Sequence, residues 1–183
     1  MKKILLFLFL GAVGFTAYSC DNKDDVVVQG TDYDTINQSF DISPSFTKVS
    51  DNLYRWSDSF KSPLVQSDMV LVYMQVDTNG GSPVWRLLPY TYYVGNVNND
   101  AVDYINEFSK TGVTININST NTFSLTANPS YYQNKNFRVL ILPANGTGTG
   151  GAKAAKGNAV DYNDYKSVIK YYNIDESKIK TKY

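Results

Sequence analysis

The chain of 183 residues contains no histidine. The commonest general base near neutral pH is therefore missing, and with it the commonest metal-ligating ring. Ser-His-Asp and Cys-His arrangements and the usual zinc sites are excluded on the same ground. Cysteine occurs once, at Cys20, so it is a free thiol, half of an intermolecular disulfide, or a point of modification. Glutamate is nearly absent, with Glu107 and Glu176 its only occurrences. Formal charge is zero over the whole chain. A near-neutral protein carries no electrostatic footprint for nucleic acid. Long apolar runs are lacking too. Ile4 to Phe15 is about a dozen residues long, short of the ~20 that a spanning helix needs.

What the chain does have is aromatic and β-branched. Aromatics make up 14% of it, with 15 tyrosines. Tyr, Val, Ile, Thr and Phe suit strands, whereas the plentiful Asn, Asp and Gly suit the turns between them. Apolar runs alternate with turn clusters from Gln38 onward. The segments read as strands are 40–43, 53–58, 68–77, 84–95, 101–109, 112–119, 122–127 and 136–144. Segment 68–77 is apolar on both faces, which predicts a central strand covered on both sides. Asn79-Gly80 marks a hairpin joining it to 84–95. In 112–119, Val113, Ile115 and Ile117 alternate with Thr114, Asn116 and Asn118, predicting an inner and an outer face. About eight strands at short spacing, with no long helical pattern between them, predict an all-β fold, an antiparallel β-sandwich.

The C-terminal part differs. Residues 145–158 form a Gly-rich loop. Tyr162, Tyr165, Ile169 and Tyr172 recur at helical spacing and predict a short helix over about 162–172, capped by Asp161 or Asn163 and packed on the sandwich. The charged end, 175–183, reads as frayed. Residues 33–183 make a single domain.

Chemistry-bearing motifs are few. Gly146, Gly148 and Gly151 satisfy the G-x-G-x-x-G spacing after an apolar strand. A dinucleotide site also needs a helix of about three turns and a second parallel strand. Gly157-Asn158 interrupts any such helix, and no strand pattern follows. Ala152 stands where a phosphate-binding loop requires lysine. Paired aspartates could serve a glycosidase, but most of the 15 Asp sit beside Asn, Gly, Ser or Thr in turns. The residues therefore predict no catalytic set. Oxygen-rich clusters at Asp32 and Asp34, at Asp77 and Asn79, and at Asn98, Asn99, Asp100 and Asp103 are the only candidates for calcium. None matches the spaced loop of an EF-hand, and turn chemistry accounts for all three, so no cofactor is expected. The remaining leads are aromatic: Trp56, Trp85, Tyr92, Tyr93, Tyr131 and Tyr132. In an adjacent pair on a strand one ring faces in and the other out, and outward rings can stack on sugars or anchor a protein partner.

The N-terminal residues carry a resemblance. Lys2 and Lys3 precede the apolar run, and the stretch Ala17-Tyr18-Ser19-Cys20 resembles a bacterial lipobox, with Tyr18 departing from the small residue usual at its place. The resemblance implies a signal peptide over 1–19 and acyl chains, such as palmitate, on Cys20. Loss of Lys2 and Lys3 leaves 15 bases against 17 acids. Residues 20–32 read as a hydrophilic tether, in which Lys23, Asp24 and Asp25 resemble the export signal of Bacteroidetes surface lipoproteins. Asp34-Thr35-Ile36 resembles the O-glycosylation motif of that phylum. The strands, through 68–77, 84–92 and 137–144, are similar to small β-rich lipoproteins of the same type. That resemblance implies an outer-membrane, lipid-anchored protein at the cell surface, with the periplasmic leaflet as the alternative. The expected role is non-enzymatic binding of a glycan or an envelope protein. The alternatives are a structural or assembly lipoprotein without a small ligand, or a hydrolase using paired aspartates.

Overall fold

The computed structural model describes residues 38–65, 68–142 and 160–182. Ten strands are found among them: β1 (Gln38–Ile42), β2 (Thr47–Ser50), β3 (Leu53–Ser59), β4 (Met69–Asn79), β5 (Ser82–Leu87), β6 (Tyr90–Tyr93), β7 (Ala101–Phe108), β8 (Gly112–Ser119), β9 (Phe137–Leu142) and β10 (Lys180–Thr181). One α-helix, α1, spans Tyr165–Tyr171. The strands form two five-stranded sheets, ordered β10-β1-β9-β4-β5 and β2-β3-β8-β7-β6. All pairings are antiparallel except that of β10 with β1. The all-β sandwich expected from the sequence is thus the fold.

The alternation of side chains dictates the layers. Tyr54, Ile115, Ile117, Val102 and Tyr104 of one sheet meet Val70, Val72, Met74, Phe137, Val139 and Ile141 of the other in a single core. Thr114 and Asn118 turn to the opposite face. The first sheet has a second apolar face, where Tyr73, Leu140 and Leu142 pack beneath Tyr165, Val168 and Tyr172 of the helical segment. All six residues of β9 are buried for this reason, and each buried Val, Leu, Ile or Phe contributes about 1.5–3 kcal/mol. β4, its neighbour, is likewise covered on both sides, as its apolar run implies. Val168 belongs to the buried helical face beside Tyr165, and Asp164, rather than Asp161 or Asn163, caps the helix by accepting from Lys166 N.

Several segments depart from expectation. Segment 84–95 is two strands in different sheets. Leu88 N donates to Val72 O at 2.9 Å, the last bond to β4. Pro89 follows, has no N–H to continue that ladder, and Tyr90 enters the second sheet opposite Tyr104. The hairpin turn is Gly80-Gly81, with φ of 56° and 82°, so both central residues occupy the left-handed region that glycine tolerates. Segment 122–127 is not a strand. Asn52 Nδ2 donates to Ser119 Oγ, Thr120 O and Phe123 O at 3.0, 2.9 and 2.7 Å, holding the chain in a turn that sinks Leu125 fully into the core.

The C-terminal end is tied down rather than frayed. A 3-10 turn at Glu176–Lys178 precedes β10, which lies parallel to β1. Glu176 accepts from Arg138 Nη1 at 2.8 Å and from Tyr165 Oη at 2.8 Å, and Lys182 N donates to Asp41 O at 2.7 Å. Charge in a tail is a signal for solvation in general. Here it is matched by a buried arginine that sequence spacing does not reveal.

Candidate functional site

The six candidate aromatics fall into different environments. Trp85, on β5, is buried under α1. Its ring lies 6.0 Å from Tyr165 and 4.6 Å from Arg138 Cζ. No ligand can stack on it there without removing the helix. Trp56 points toward the inter-sheet core, opposite Ile115, and is half-buried. Tyr132 stacks on Tyr54 at 3.8 Å between centroids. These three rings serve packing.

Tyr92 and Tyr131 are brought together with Phe123 at one rim, and Tyr93 stands on the other face of the same edge strand. β6 is the last strand of its sheet, and its residues Tyr92 and Tyr93 pair with Val102 and Ala101. Successive side chains leave opposite faces of a strand, so Tyr92 turns to the core side and Tyr93 to the outer side. Because nothing pairs with the far edge of β6 among the described residues, both rings remain open, 45% and 75% exposed. Tyr92 meets Tyr131 edge-to-face at 5.6 Å, and Tyr131 meets Phe123 in the same manner at 5.2 Å. Tyr131 is fixed in turn by Tyr104 Oη, which donates to its carbonyl at 2.8 Å. Burial, and then the neighbouring Tyr92, pushes the Tyr131 phenol above its ordinary value. The result is a braced row of rings with one open end.

Polar groups flank the row. Thr91 Oγ1 donates to Asp103 at 2.6 Å on the outer face. The loop from Val94 to Asp100 carries Asn96, Asn98 and Asn99 past the same edge, with Val97 97% exposed. This loop is pinned by Asp100, which is almost fully buried. Asp100 accepts from Thr120 Oγ1 at 2.5 Å, from Thr122 Oγ1, and from Asn96 Nδ2 at 2.7 Å. These donors, the two threonine hydroxyls foremost, hold its carboxyl below the usual carboxylate range. Asp100 and Asp103 therefore have separate partners. Asp77 spends Oδ1 on Thr78 N at 2.7 Å. Among the described residues no three carboxylate or cysteine side chains gather where they could hold a metal ion.

Phe123 was legible only as part of a predicted strand, and no sequence signal marks it as a brace. Cys20, Lys23, Asp24, Asp25, Asp32, Asp34 and the Gly-rich loop 145–158 lie outside the described residues. Among the described residues no helix is long and apolar enough to cross a membrane. Comparison of the chain with protein-family models, with curated proteins and with solved structures finds no match.

Proposed function

We propose that this protein is a lipid-anchored component of the cell envelope whose sandwich domain binds carbohydrate, without catalysis, at the tyrosine rim of β6. The observation that carries the reading is the braced ring of Tyr92: 45% exposed and held edge-to-face by Tyr131. Aromatic rings bind best when their geometry is set before the ligand arrives, because little side-chain freedom is then lost. The C–H face of a sugar packs on such a ring, and the asparagines of the following loop supply hydroxyl partners. Acylation at Cys20 would tether the domain, with Lys23, Asp24 and Asp25 directing it outward.

The test is a glycan array with the full chain extracted in detergent, run beside Tyr92→Ala. Binding that is lost in a folded Tyr92→Ala variant supports the reading. A chain that captures no glycan overturns it and leaves the rim as a contact for an envelope protein. Cell fractionation of Cys20→Ser tests the anchor, since the acylated protein should partition with membranes and the variant should not.

A further inference from the structure

A cavity lies away from the tyrosine rim, at the open side of the sandwich where β10 and β1 end the first sheet. It measures about 990 Å³, within the range of small-ligand sites. Phe40 of β1, Ile141 of β9 and Phe60, just past β3, provide its apolar surface. Lys61, Lys178, Lys180 and Lys182 stand around it, with Asp175 among them. Gln38 and Thr181 add amide and hydroxyl groups at its lip.

The charges are unbalanced. Lys182 pairs with Asp58 and lies 5.3 Å over the Phe40 ring. Lys61 and Lys180 are exposed and form no ion pair among the described residues. Lys178 pairs with Asp175 on the same lining, so two carboxylates face four ammonium groups in a groove that Phe40 and Phe60 help to line. β1 keeps the lysines there because β10 pairs with it in parallel, Phe40 opposite Lys180. Alternation then places Lys180 and Lys182 on one side of the strand.

We infer that this groove binds an acidic saccharide, its carboxylate set against Lys61 and Lys180 and its ring face laid on Phe40 and Phe60. The excess positive charge calls for an anion. The two aromatic rings and the polar lip call for a body with one apolar face and several hydroxyls. The open mouth suits a sugar ring, whereas an aliphatic chain needs enclosure. The inference does not rest on the tyrosine rim and stands or falls separately.

The experiment is a calorimetric titration of the full chain in detergent with a uronate oligosaccharide, and with the same oligosaccharide methyl-esterified to remove its charge. The acid form is expected to bind about tenfold more tightly than the ester and to weaken as salt is raised. Lys61→Ala combined with Lys180→Ala should abolish that preference. Both lysines are exposed, so the fold is not at stake, and circular dichroism checks it. Tyr92→Ala should leave this binding intact, which separates a failure here from a failure at the rim. Equal affinity for acid and ester, no binding of either, or an unchanged preference in the double variant would each overturn the inference.

Discussion

Arg138 and Asp41 face each other directly across β9 and β1, 97 positions apart in the chain. The guanidinium donates to both carboxylate oxygens, Nε at 2.7 Å and Nη2 at 2.9 Å. The arginine side chain is 8% exposed and the aspartate 28%. Burial alone would lower the arginine pKa, but its hydrogen bonds to Asp41 and Tyr165 more than offset it and hold it above its ordinary value. The same guanidinium lies over Trp85 and reaches Glu176. One buried cation thus fastens the first strand, the helix and the C-terminal segment to β9.

The two partners should respond unequally to removal. Asp41→Ala leaves a buried guanidinium with Glu176 as its one remaining acid, a situation that costs about 3–5 kcal/mol. Arg138→Met leaves two carboxylates that water can reach and fills the space beside Trp85 with an apolar chain. Urea unfolding should show the larger loss in Asp41→Ala. An equal or greater loss in Arg138→Met would mean that the cation–π and tail contacts outweigh the ion pair.

Acid stability should depend on Asp100. Its folded pKa lies below the ordinary value of 3.8 because Thr120, Thr122 and Asn96 donate to the charged form. The stabilisation is therefore fully present above that value and is lost as pH falls through and below it. Asp51, Asp164 and Asp175 shift in the same direction. Denaturant midpoints followed downward from neutral pH should fall below about pH 4. In Asp100→Asn the fall should be shallower and start from a lower plateau. An unchanged acid limb would show that Asp100 does not govern it.

At the alkaline end the tyrosines set the limit. Burial raises the phenols of Tyr73, Tyr104, Tyr165 and Tyr172 far above their ordinary value of 10.0. A group that keeps its proton longer in the folded state stabilises fully below the unfolded pKa and less as pH rises past it. Stability should thus decline above about pH 10. Tyrosinate absorbance should rise in two stages, with the buried four ionising only with loss of secondary structure. A single smooth titration that leaves the circular dichroism unchanged would contradict this.

The parts of the fold that short-range pattern controls were legible. Residues 112–119 alternate, and the structure puts Val113, Ile115 and Ile117 inside as the alternation requires. Segment 68–77 reads as apolar on both faces over most of its length, and the reason is visible in the helix that covers the second. Pattern failed where a single side chain overrides it. Asn52 turns 122–127 away from a sheet with three bonds of its amide. Pro89 moves a continuous apolar run from one sheet to the other. The Arg138 anchor of the tail and the bracing of Tyr92 by Phe123 through Tyr131 join distant segments, and neither spacing nor composition carries that information. Of the six aromatics singled out by residue type, strand order decided which are open. Tyr92 and Tyr93 are exposed because β6 ends its sheet, and Trp85 is covered because α1 lies across β5.

The brace itself should be measurable. If Tyr92 owes its binding geometry to the row behind it, weakening the row should weaken binding without touching the ligand. Phe123→Leu keeps the apolar volume against the core but removes the ring that meets Tyr131 at 5.2 Å. An edge-to-face pair is worth about 0.5–1.5 kcal/mol, so a loss of about twofold in affinity is expected at its lower end. Tyr92→Ala should cost tenfold or more, at ~1.4 kcal/mol per decade. Tyr93→Ala, on the opposite face of the strand, should separate a ligand that wraps the edge from one that lies on Tyr92 alone. Retained near-ultraviolet dichroism in Phe123→Leu would confirm that the sandwich is intact. Full affinity in that variant, with Tyr92→Ala inactive, would show that Tyr92 binds without help from the rings behind it.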